Sequence, residues 1–113
     1  MTTLFHIVDP EDWAAAARLG EYRAPSLDVE GFIHCSFEAQ VAATANLHYA
    51  DSAELCVVEL DPARIAAPVH VEDISARGEV FPHVYGPIPT AAAVAIHPLV
   101  RDESGAWVFG PLE

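Results

Sequence analysis

The chain contains no lysine, and its five arginines face seventeen acidic residues, giving a formal net charge of −12. A protein that grips a phosphate backbone carries a basic face. Nucleic-acid backbone binding is therefore not expected, and neither is docking on an anionic membrane. The acidic excess reads first as a solvated surface. An anionic ligand would have to be held locally, by an arginine or by backbone N–H groups. Cysteine is scarce as well: Cys35 and Cys56 are the only two, each inside an apolar run, where a thiol behaves as a small core residue. No CxxC or Cys/His pair has the spacing of a zinc site. Residues 1–6 carry no basic region or cleavage-like segment, so no export signal is read there and no disulfide is expected. Long hydrophobic runs are missing too. Ala91–Ile96, six residues, is the longest candidate, against the ~20 residues of a membrane span. These absences point to a cytoplasmic protein. No internal repeat, linker or low-complexity segment interrupts the chain.

What is present suits one domain spanning residues 1–113, with 52% hydrophobic residues, enough for a core of its own. Leu4–Val8 reads as a strand, with Leu4, His6 and Val8 on one face. Asp9 caps a helix that runs from Pro10 through Trp13 to Leu19, and Gly20 stops it. Residues 21–30 read as a loop. A strand is expected over Phe32–Cys35, with Phe32 and His34 facing one way and Ile33 and Cys35 the other. A helix capped by Ser36 or a neighbour should follow over Phe37–Leu47. Leu55–Leu60 reads as a central strand, and one helical turn over Ala63–Ala67 and a strand over Val69–Ile74 follow it. Three prolines stiffen Phe81–Pro89. Ala92–His97 and Trp107–Phe109 would close the sheet. The mixed order of elements, with two main helices, gives an α+β fold.

Several reaction types lose their usual signatures here. There is no G-x-S-x-G, G-x-G-x-x-G, P-loop or H-E-x-x-H. A Cys35 nucleophile is awkward because alternation turns it away from His34. Four polar rings within extended apolar segments remain: His6, His34, His83 and Tyr85. A single histidine in a strand is commonly just a hydrogen-bonded core residue. Several imidazoles and a phenol in such segments of one small domain point to a shared site, and a proline-stiffened backbone would hold part of it in place. His48, His70 and His97 lack such company and read as structural or surface residues.

The strings Gly31-Phe32-Ile33-His34-Cys35-Ser36 and Phe81-Pro82-His83-Val84-Tyr85-Gly86-Pro87 carry a resemblance, together with Phe5-His6-Ile7, Trp13, Ala17, Gly20, Tyr22 and Gln40. On these residues the chain resembles the small, mainly bacterial proteins grouped as domain of unknown function 952. Phe37 departs from the small polar capping residue expected there. More distantly, the order His6, then a helix ending in glycine, then His34-Cys35-Ser36 is similar to ADP-ribosyltransferase-like enzymes, including the RNA 2′-phosphotransferase branch. That resemblance implies a mostly antiparallel split sheet, with His6 bonding a ribose hydroxyl and His34 and Ser36 lining a nicotinamide pocket. His83 and Tyr85 would stand near a third motif, where Glu79 is the nearest counterpart of the transferase glutamate.

Two functions from different classes follow. The first is an enzyme acting on NAD or an ADP-ribosyl group, with His34, Ser36, His83 and Tyr85 as catalytic residues. His6, Arg23 and Arg77 would bind the nucleotide-like ligand, with NAD as substrate rather than resident cofactor. The second is a non-catalytic module that uses the same His/Tyr cleft to bind a small ligand or peptide. A zinc site built from His6, His34 and His83 is a third and weaker reading, because no close-spaced ligand pair nucleates it.

Overall fold

The computed structural model describes residues 2–74 and 76–112. The chain opens with strand β1 (Leu4–Val8) and helix α1 (Pro10–Leu19). The Asp9 carboxylate accepts the Glu11 N–H at 2.8 Å, and Gly20 ends the helix at φ 88° with its N–H on the Ala16 carbonyl. Residues 21–30, expected as a loop, instead form strand β2 (Glu21–Tyr22) and helix α2 (Pro25–Val29). The five-residue α2 is too short to show a periodic pattern. Pro25 at its first position presets the backbone dihedral, and the Ser26 hydroxyl ties it to the Phe32 carbonyl at 2.8 Å.

Strand β3 (Ile33–His34) follows, then a 3₁₀ turn at Glu38–Gln40 and helix α3 (Val41–His48). Ser36 does not cap this helical stretch. Its backbone is engaged elsewhere, exchanging both hydrogen bonds with Phe5 at 2.9 and 2.8 Å. Phe37 stands at the start of the turn, and Gln40 Oε1 accepts its N–H at 3.0 Å. Next come β4 (Cys56–Leu60), a 3₁₀ turn at Pro62–Arg64, β5 (Val69–Glu72) and β6 (Phe81–Val84). The remaining strands are β7 (Ile88–Pro89), β8 (Ala93–Pro98), β9 (Val100–Arg101) and β10 (Trp107–Val108).

Among the described residues every strand pair is antiparallel. One sheet has the order β1–β4–β8 and a second β3–β6–β5; β2–β7 and β9–β10 are separate pairs. This is an α+β domain. The first sheet divides two cores. Leu4, Val8, Cys56, Val58 and Leu60 point into one, while Phe5, Ile7 and Val57 join Val41 and Trp107 in the other. Each fully buried aliphatic side chain contributes about 1.5–3 kcal/mol of transfer free energy. The second sheet packs Ile33 and Val84 into the first core. Alternation then sends their neighbours His34 and His83 to its opposite face.

Candidate functional site

The two strings that carry the family resemblance lie side by side on β3 and β6. Ile33 pairs with Val84, and His34 with His83. Strand β5 adds His70 opposite His83, so three histidines form a row across the second sheet. The Phe32 ring stacks on His83 with centroids 4.2 Å apart, and the His34 ring meets His83 edge-on at 5.3 Å. Tyr85 lies 5.3 Å from Phe32 and 5.0 Å from His70. His83 is buried despite facing away from the core, because these rings cover it.

Glu72 organises this face. Its Oε1 accepts the His83 Nδ1–H at 3.0 Å and also the Tyr85 hydroxyl proton. A carboxylate can only accept, so Nδ1 carries the proton and Nε2 keeps the lone pair in the neutral ring. The Tyr85 and His83 bonds hold the Glu72 carboxyl below its ordinary range, while the bond to Glu72 holds the Tyr85 phenol above its own. His34 is oriented in the same way: its Nε2–H donates to Glu30 Oε1 at 3.0 Å, on the exposed side of the row.

His6 reaches this cluster through the backbone. Its Nδ1–H donates to the His34 carbonyl at 2.7 Å, and the Tyr22 hydroxyl donates to its Nε2 at 3.0 Å. Both nitrogens are therefore committed in a single neutral tautomer. Burial pushes the His6 imidazole down to about 4. Burial, and then the charges of neighbours including Asp12, push the Tyr22 phenol up. Trp13 also packs on Tyr22, with ring centroids 5.4 Å apart. His6, Tyr22 and His34 line an open cavity of about 400 Å³, whose rim carries Asp9, Asp12 and Glu54.

The residues singled out from the sequence are thus brought together only in part. His34 joins two groups, since its carbonyl holds His6 and its ring touches His83. His83 and Tyr85 do not line the His6 cavity. Ser36 is buried, with its backbone linking β3 to β1. Arg23 is exposed and lies 3.7 Å from Glu21 and 3.8 Å from Asp28. Arg77 is exposed in the turn after β5, where its N–H donates to Asp73. Glu79 accepts from Gln40 Nε2 at 3.1 Å on the surface. Of the histidines set aside, His70 joins the row; His48 is exposed on α3; His97 donates to Glu59 at 2.8 Å. Cys35 is buried on the core side, and burial drives its thiol up to about 12. Among the described residues no three His, Cys, Asp or Glu side chains are grouped to hold a metal ion.

Sequence reasoning missed Tyr22, Phe32 and Glu72 as members of the site. Glu72 was legible in one respect only. The segment Val69-His70-Val71-Glu72 alternates, placing His70 and Glu72 on one face of a strand; nothing local showed that the strand pairs with β6.

The structure is an α+β domain in which His6, Tyr22 and His34 line one cavity, while His83, His70 and Tyr85 form a separate group of rings that His34 touches. The chain belongs to the family described as Protein of unknown function (DUF952), whose profile matches residues 7–96. It is also similar to protein CC0527 from Caulobacter crescentus. In its crystal structure that protein superimposes with a TM-score of 0.83 at 25% identity, over 95% of this chain and 94% of that one. The solution NMR structure of CC0527 gives a TM-score of 0.70 at 26% identity, over 94% of this chain and 91% of that one. No curated protein matches.

Proposed function

We propose that this domain is an enzyme acting on a small N-ribosylated pyridinium compound, the chemical class to which NAD⁺ belongs, in the manner of ADP-ribosyltransferase-like proteins. The observation that carries this reading is the double role of His34. Its carbonyl fixes the buried His6, the residue is part of the cavity lining, and its ring packs against the Glu72-oriented His83. The Tyr22 oxygen, which donates its proton to His6, keeps lone pairs for a ribose hydroxyl. Glu72, rather than Glu79, supplies a carboxylate near the His83–Tyr85 motif.

In the reaction, the C1′–N bond breaks and its electron pair stays on the pyridine nitrogen, which becomes neutral. A water or acceptor hydroxyl oxygen forms the new bond to C1′. His34 takes that oxygen's proton on Nδ1, the nitrogen left free by the Glu30 bond. The test is nicotinamide release from NAD⁺ and from nicotinamide riboside. Wild type should turn over at least one of them; His34→Ala and His83→Ala should lose activity; His48→Ala should not. A folded wild-type sample that neither binds nor cleaves any ribosyl pyridinium overturns the reading.

A second reading, a non-catalytic binding module using the same cleft, is favoured by His6. Both of its nitrogens are bonded, which suits a fixed recognition surface more than proton transfer. It predicts ligand binding that His34→Ala and His83→Ala weaken, with no product formed from any ligand that binds.

A further inference from the structure

The His6 cavity combines neutral polar groups with a negative rim. Its lining includes the buried imidazole–phenol pair of His6 and Tyr22, and Ser26, Tyr49 and Ser52 are further hydroxyl-bearing residues in it. Asp9, Asp12 and Glu54 supply three carboxylates, and among the described residues no arginine lines the cavity. The nearby Arg23 is flanked by Glu21 and Asp28, and the chain has no lysine to substitute for it. Asp12 is felt inside as well: after burial and the Tyr49 charge, it helps push the Tyr22 phenol up.

A diphosphate entering this cavity would meet like charge with no cation to offset it. A positive ring would meet opposite charge, and the hydroxyls of the lining would take up a sugar. At about 400 Å³ the cavity is near the lower end of the ~300–1,000 Å³ range of small-molecule pockets. That suits a mononucleoside better than a dinucleotide.

Resting on the ribosyl reading above, we infer that this site selects a phosphate-free organic cation bearing hydroxyl groups, of the N-ribosylpyridinium kind, and discriminates against dinucleotides. Charge, not only shape, then sets specificity.

The inference is tested by calorimetric titration of the full chain with five compounds. These are nicotinamide riboside, its uncharged reduced form, N-methylnicotinamide, NAD⁺ and ADP-ribose. The cationic riboside should bind tightest, with the reduced form and both diphosphates about tenfold weaker or more. Asp12→Asn and Glu54→Gln should each weaken the cation by about three- to tenfold while thermal midpoints hold, and added salt should erode the difference. Asp9 is left intact because it caps α1. If NAD⁺ or ADP-ribose binds as tightly as the cationic riboside, the charge inference falls and the ribosyl reading stands. If N-methylnicotinamide binds as tightly as the riboside, the ribosyl reading falls and cation selection stands. If none of the five binds, both fall.

Discussion

Acidification should destabilise this protein through His6. The imidazole is buried between the Tyr22 hydroxyl and the His34 carbonyl, with a folded-state value of about 4 against 6.5 when unfolded. The folded value is the lower one, so the neutral ring favours the native state and protonation favours the unfolded chain. This contribution is intact above the unfolded value and is lost as pH falls through the folded one. Full loss amounts to about 3 kcal/mol, from a gap of about 2.5 pH units at ~1.36 kcal/mol each. Between about pH 7.5 and about pH 5 the linkage relation gives a loss of about 2 kcal/mol.

Carboxylates contribute to the same pH range, so the measurement is a difference. Urea unfolding of wild type and of His6→Gln should be followed across that window. The stability advantage of wild type over the variant should shrink by about 2 kcal/mol toward the acid end. Nitrogen NMR should show one neutral tautomer, protonated on Nδ1, throughout. A difference curve that stays flat with pH, or a His6 titration midpoint near 6.5, refutes the buried two-bond arrangement.

Four further outcomes follow from the same geometry. Tyr22→Phe leaves the buried Nε2 of His6 without a donor and should cost about 1–3 kcal/mol in urea unfolding; an unchanged midpoint would show that the hydroxyl does not hold that nitrogen. Glu72→Gln replaces the carboxylate whose hydrogen bond, with a smaller contribution from its charge, holds the Tyr85 phenol up. Ultraviolet titration should then show one tyrosine ionising at lower pH than in wild type, and no change would place Tyr85 away from Glu72. Cys35 and Cys56 are buried with thiols pushed up, Cys35 to about 12, so neither should react with a disulfide reagent at about pH 8 until denaturant is added. A methyl group at position 86 would lie 2.7 Å from Ala67 Cβ. Gly86→Ala should therefore cost about 1–3 kcal/mol, and Ala67→Gly in the same chain should recover part of it.

The parts of the fold that could be read in advance are those written in short-range signals. Asp9, Pro10 and Gly20 mark both ends of α1 because capping chemistry is local. The apolar run Leu55–Leu60 announces a central strand, since only burial on both faces tolerates it. Leu4–Val8 was legible as a strand, but its burial on both faces was not. All five residues are buried, although β1 has only β4 beside it in its sheet, because the two cores lie on its opposite faces and Ser36 bridges to Phe5. The short strands β2, β7 and β9 carry no pattern of their own and exist only through their partners. The candidate site divides along the same line. His34, His83 and Tyr85 stood out by their setting in stiff or alternating segments, whereas Glu72 became meaningful only once β5 paired with β6.

The same pairing gives His70 the company that it lacks along the chain. Read along the chain, it stands beside valines in an exposed strand. Across the sheet it stands opposite His83 and 5.0 Å from Tyr85. If the row works as one unit, His70→Ala should alter the binding of any ligand that reaches Tyr85, while His48→Ala on α3 should leave it unchanged. A direct comparison of the two variants by titration separates a cooperative row from a chance alignment. Equal affinities for wild type, His70→Ala and His48→Ala would confine the working site to His34 and the residues lining the His6 cavity. A selective loss in His70→Ala would extend the site across all three strands of the second sheet.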